Sequence, residues 1–72
     1  MRRYDTPVER AYRHVQDAER RVREQAELVE KMRSAGHDIR TAEEMLLVLE
    51  QALAIMRAHL AFVEDRERGP LV

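Results

Sequence analysis

Residues 45–63, MLLVLEQALAIMRAHLAFV, limit what this 72-residue chain can fold into more than any other stretch. Fifteen of these 19 residues are apolar, and only Glu50, Gln51, Arg57 and His59 interrupt them. Three apolar lines run through the stretch at a spacing of seven: Leu46/Leu53/Leu60, Val48/Ile55/Phe62 and Leu49/Met56/Val63. Residues seven apart sit two turns apart on one side of a helix, so this is a helix with a broad apolar arc. The run is long enough to span a bilayer, yet Glu50 and Arg57 lie inside it. Each charge costs ~2.5–3.5 kcal/mol at a bilayer centre. No apolar segment of signal-peptide type follows Met1-Arg2-Arg3-Tyr4. The expectation is a cytoplasmic chain without a membrane partner.

A first helix is announced by Thr6-Pro7-Val8-Glu9. The Thr6 hydroxyl can accept from the Glu9 N–H while the Glu9 carboxylate reaches back to the N–H of Thr6. Pro7 falls at the first helical position, where a missing N–H costs nothing. Val8, Val15, Val22 and Val29 then form one line, and Ala11, Ala18, Gln25 and Met32 form its neighbour. Together they make a narrow seam, widened locally by Tyr12, Ala26 and Leu28. The rest of this helix is charged and self-neutralising. Glu9–Arg13, Asp17–Arg21, Glu19–Arg23 and Glu27–Lys31 are acid-first i,i+4 pairs, each worth ~0.2–0.5 kcal/mol.

Ser34-Ala35-Gly36-His37-Asp38 breaks the pattern, with Gly36 placed for the left-handed position after a helix end. Asp38 can cap the next helix directly, or Thr41-Ala42-Glu43-Glu44 can form a second capping box. The Thr41 start is preferred here, and Gly69-Pro70 stops the helix. The resulting fold is all-α: an antiparallel two-helix hairpin over about 7–35 and 42–68. It forms a single domain over 1–72, with flexible ends at 1–5 and 69–72. Pairing the helices outward from the turn sets Val29 near Leu47, Val22 near Ala54 and Val15 near Ala61.

The two faces do not match in width. Below about 70–80 residues one core rarely supplies more than about 3–5 kcal/mol, and the chain has no cysteine to cross-link it. The first helix offers a seam about two positions per heptad wide, while the second offers about four. A second copy covering the surplus gives a homodimeric four-helix bundle with the second helix innermost. The candidate dimer interface is drawn from Leu46, Val48, Leu49, Ala52, Leu53, Ile55, Met56, Leu60, Phe62 and Val63. The choice between the Leu46/Leu53/Leu60 flank and the Val48/Ile55/Phe62 flank stays open, and a helical protein partner could fill the same flank.

Candidate chemistry is sparse. His59 falls inside the apolar arc, and the pairing above sets it near Asp17, with His14 a turn away. His14, Asp17 and His59 are therefore the metal or pH-switch candidates, against the plainer reading of edge histidines bonded to a carboxylate or water. The Glu-x-x-His pattern of di-iron bundles is absent, since Ala11 and Met56 stand three residues before His14 and His59. Gln25 is the polar member of the seam, placed either to fix register or to sit at the rim. Net charge is −1, with 13 basic and 14 acidic residues, so no bulk attraction to nucleic acid exists. Arg10, Arg13, Arg20, Arg21, Arg23 and Arg33 make the first helix look basic, but most have acids at helical spacing and no aromatics interleave to stack bases. Neither a nucleophile–base arrangement nor a Gly-rich phosphate loop is present, so no enzyme and no cofactor are expected.

In Ala18-Glu19-Arg20, Leu28-Val29, Gly36-His37-Asp38 and the Leu46-Leu47 to Leu49-Glu50 run, the chain resembles small bacterial helical-hairpin proteins of no established activity. The resemblance covers roughly residues 14–60. It implies a hairpin fold and a bacterial setting, and it carries over no site. The function expected from the sequence is a non-catalytic, homo-oligomeric interaction or regulatory module. The alternatives are a nucleic-acid-associated regulator using the arginines of the first helix and a metal- or pH-responsive bundle.

Overall fold

Helix initiation at Thr6 follows from its side chain. In the computed structural model, which describes residues 6–69, the Glu9 N–H donates to Thr6 Oγ1 at 3.0 Å and the Thr6 N–H donates to Glu9 Oε1 at 3.1 Å. This reciprocal pair starts α1, Pro7–Ser34, with Pro7 in the first turn. The helix ends as the sequence predicts. Gly36 takes φ +79°, the His37 N–H donates to the Met32 carbonyl at 2.9 Å, and the Gly36 N–H donates to that of Arg33 at 3.1 Å. Those two bonds satisfy carbonyls the helix would otherwise leave open, and glycine adopts the left-handed angle without strain.

The second helix, α2, spans Arg40–Arg68, so it starts two residues before the expected position 42. Thr41 is inside it and forms no capping box. Asp38 acts instead. Its Oδ1 accepts from the Arg40 N–H at 3.0 Å and from Arg40 Nε at 3.3 Å, while Oδ2 takes Arg40 Nη2 at 2.9 Å. A carboxylate beside the first turn also meets the positive end of the helix dipole. At the far end Gly69, φ +87°, donates its N–H to Arg66. Of the expected flexible ends at 1–5 and 69–72, residues 1–5 and 70–72 lie outside the described residues.

The helices pack side by side as a hairpin, and the molecule measures 13 Å along its shortest axis. That is one helix layer. The interior is correspondingly small in every sense. Its buried residues are Ala11, Val15, Ala18, Val29, Ala42, Leu53 and Val63, and among the described residues none is polar. Val15, Ala18 and Leu53 form the central cluster, with Val22, Met56 and Leu60 half-buried around it. Ala18 makes room for Leu53, so the largest side chain of the core sits where the opposing helix is narrowest.

The packing keeps the expected pairing on one edge, where Glu19–Arg57 and Arg33–Glu43 bridge the helices, and differs in which side chains face inward. Leu47, Ala54 and Ala61 are exposed, and Val15 packs in one cluster with Leu53 rather than opposite Ala61. Gln25 also bonds across the hairpin. Its Nε2 donates to the Ala42 carbonyl at 2.9 Å from a half-buried position, tying the middle of α1 to the first turn of α2. Gln25 is thus bonded to the opposing backbone. On one edge Arg57 reaches Glu19 at 3.1 Å and Arg33 reaches Glu43 at 3.3 Å. Glu19 is therefore engaged across the hairpin, where the i,i+4 pattern had paired it with Arg23.

Candidate interaction surface

Each turn of α2 contributes one side chain to the hairpin and one to the opposite side. Ala42, Leu53 and Val63 are buried, and Leu46, Leu49, Met56 and Leu60 are half-buried against α1. The flank left open by the sequence is thereby assigned: the Leu46/Leu53/Leu60 and Leu49/Met56/Val63 lines close the hairpin. The Val48/Ile55/Phe62 line faces away, with exposures of 57%, 69% and 57%. Met45 and Leu47 extend the same outer surface.

The face is broad as well as apolar. At 100° per residue, the exposed positions Met45, Val48, Ile55 and Phe62 share a side with Ala58, and Ala54 lies at its edge. Between Glu44 and Glu64 the charged residues of α2 are Glu50 and Arg57. Both fall on the side of the helix opposite Ile55 at that angular spacing. The outer face is thus uncharged over about five turns, with Gln51 and His59 as its polar members. The five large exposed side chains present roughly 500 Å² of mostly apolar area, at the upper end for a free monomer. At the C-terminal end the Arg66 guanidinium lies 5.6 Å from the Phe62 ring centroid, a cation–π contact that borders the patch.

Of the ten residues expected at a dimer interface, Val48, Ile55 and Phe62 lie on this open face and Ala52 at its margin. Leu53 and Val63 are buried within the hairpin, and Leu46, Leu49, Met56 and Leu60 are half-buried. Periodicity could not separate the two sets, because both flanks repeat every seven residues. Met45 and Leu47, outside that set of ten, lie on the same outer surface. Their signal was present in the sequence as apolar residues continuing the outer side beyond Val48.

The metal candidates do not converge. His14 and Asp17 line a half-open groove of about 220 Å³ with Ala18, Arg21, Leu49, Ala52 and Met56. His59 is exposed and does not line that groove. Met56 takes the place beside His14 and Asp17, while His59, about 40° around the helix from Ile55, lies on the outer side of α2. Among the described residues no group of three His, Cys, Asp or Glu side chains could hold a metal ion. Several α1 arginines are engaged by acids: Arg20 with Asp17 at 2.6 Å and Glu24 at 3.9 Å, Arg21 with Asp17 at 3.8 Å, and Arg33 with Glu30 at 3.5 Å. The acid Asp38 has its pKa held below the ordinary carboxylate value by the Arg40 guanidinium, then by the Arg40 N–H.

By length and composition alone, α2 is also long and apolar enough to cross a membrane. Comparisons with known protein families, with curated proteins and with solved structures found no match.

Proposed function

We propose that this chain is a non-catalytic helical interaction module that works as a homodimer, with the outer faces of two α2 helices meeting at the centre of a four-helix bundle. One observation carries the proposal: the large apolar side chains are outside and the small ones inside. Ile55, Phe62, Met45 and Leu47 are exposed, while three of the seven buried residues are alanine. Such a hairpin has little of its own burial to set against chain entropy. At about 25 cal/mol per Å², covering even a few hundred Å² of the outer face adds several kcal/mol.

The cytoplasmic setting rests on the position of Glu50 and Arg57 within the apolar run. Arg57 is held by Glu19, so carrying α2 into a bilayer would desolvate that pair or break it. The nucleic-acid alternative is weakened by the acids that engage Arg20, Arg21 and Arg33. The metal alternative is weakened by the separation of His59 from His14 and Asp17. The test is thermal melting across a hundred-fold range of chain concentration. A dimer melts higher as concentration rises, because association stabilises the folded state by mass action. A midpoint independent of concentration contradicts the proposal.

A further inference from the structure

The central strip of the outer face of α2 reads nearly the same in both directions from Ile55, while at its edge Met45 mirrors onto Asp65. Three residues to either side stand Ala52 and Ala58, four to either side Gln51 and His59, and seven to either side Val48 and Phe62. Eleven residues away on either side stand opposite charges, Glu44 and Arg66. Eleven residues are close to three helical turns, so Glu44, Ile55 and Arg66 fall on one line about 16 Å apart. Small meets small, amide meets imidazole, apolar meets apolar and acid meets base about a single centre.

From this symmetry, and resting on the dimer reading above, we infer that two copies associate antiparallel through α2, with the two-fold axis passing at Ile55. An isologous interface requires residue i to meet j and j to meet i, and the pattern supplies that complementarity. Ile55 meets its own copy between Ala52 and Ala58, whose small side chains let the helices approach. Val48 packs against Phe62 on each side of the axis, and Gln51 faces His59. Glu44 meets Arg66 at both ends, just outside the uncharged stretch, where ion pairs retain water on one side. Glu44 has no ion-pair partner of its own among the described residues. A parallel pairing in register would set Glu44 against Glu44 and Arg66 against Arg66 at the rims of the same face, and would stack the bulky Phe62 on itself. The like charges disfavour it.

The chain contains no cysteine, so an introduced one reports alone. Val48→Cys, Ile55→Cys and Phe62→Cys are oxidised mildly, singly and in mixtures. Ile55→Cys should link to itself. Val48→Cys and Phe62→Cys should each fail to self-link, yet give a mixed disulfide when combined, since bridging needs Cα atoms within about 7 Å. Self-linking of Val48→Cys or Phe62→Cys in a chain of dimeric mass overturns the antiparallel register while leaving the dimer intact. A dimer in which none of the three links overturns the choice of face. A wild-type chain of monomeric mass overturns the dimer itself, and a monomer that co-floats with phosphatidylcholine–phosphatidylglycerol vesicles gives the face to lipid. A charge exchange covers the case in which cysteine perturbs packing. Glu44→Arg or Arg66→Glu alone should raise the dimer dissociation constant about ten-fold at low salt. The double exchange should restore it; no recovery in the double variant overturns the register.

Discussion

Leu53 and Ile55, two residues apart on α2, face opposite sides of the helix: Leu53 is 8% exposed within the Val15–Ala18 cluster, and Ile55 is 69% exposed. Two residues turn a helix through about 200°, so these neighbours report on two different packing events. Leu53 closes the hairpin, and Ile55 is the centre of the surface proposed to join two hairpins.

Substitution should separate those events. Leu53→Ala removes the largest buried side chain and is expected to destabilise the protomer by about 2–3 kcal/mol, the lower part of the range for such truncations because the surrounding core is thin. Denaturation should then be early at every concentration. Ile55→Glu leaves the hairpin interior untouched and sets two carboxylates against each other at the axis. It should give a helical chain that melts lower than wild type at high concentration and little differently on dilution. Circular dichroism melts of the two variants at two concentrations check both statements. Equal effects of Leu53→Ala and Ile55→Glu on the diluted chain would contradict the division of the helix into two faces.

Gln25 is expected to matter through its single bond to the Ala42 carbonyl. Gln25→Ala should cost about 1 kcal/mol, the usual net value of one hydrogen bond, because the Ala42 carbonyl keeps water or the helix as an alternative. Gln25→Leu should recover most of that loss by added apolar contact. Urea titration reads both variants. An alanine variant as stable as wild type would show that the bond does not hold the register.

Much of this fold was legible locally. Thr6 and Glu9 carry their capping geometry in residue type and spacing, and Gly36 stands where only a residue tolerant of positive φ sits without strain. The start of α2 was not legible in the same way. Asp38 and Thr41 both have capping chemistry, yet the N-cap is Ile39 with no side-chain cap, and Asp38 holds the N–H and the guanidinium of Arg40 from one residue earlier. Which apolar line faces α1 was hidden for a different reason. Heptad spacing orders residues along a helix but does not say which of several apolar lines will face the partner. That depended on Ala18 admitting Leu53 and on Gln25 finding a backbone carbonyl seventeen residues away. His59 was misplaced for the same reason, since it lies on the outer side of α2 near Ile55.

Asp38 should make the stability of the hairpin turn depend on pH. Its pKa is lowered in the folded chain by the Arg40 guanidinium and the Arg40 N–H. A carboxyl with a depressed folded pKa stabilises the fold above its unfolded pKa, and the contribution fades as pH falls through the folded value. Asp38→Ala should therefore lower the thermal midpoint at neutral pH. The gap to wild type should narrow on acidification below the ordinary carboxylate range and close once Asp38 is protonated. A gap of constant size across that range would mean that the charge of Asp38 contributes nothing. The group is fully exposed, so the effect should shrink in high salt as well.

The association of two chains through the outer face of α2 is tested most directly by sedimentation equilibrium of the wild type beside Ile55→Glu at micromolar concentration. The chain mass is 8.5 kDa. Wild type sedimenting at twice that mass, with Ile55→Glu at the single-chain mass and still helical, is the predicted result. A wild type that sediments as a single chain, or an Ile55→Glu variant that stays fully dimeric, would contradict it.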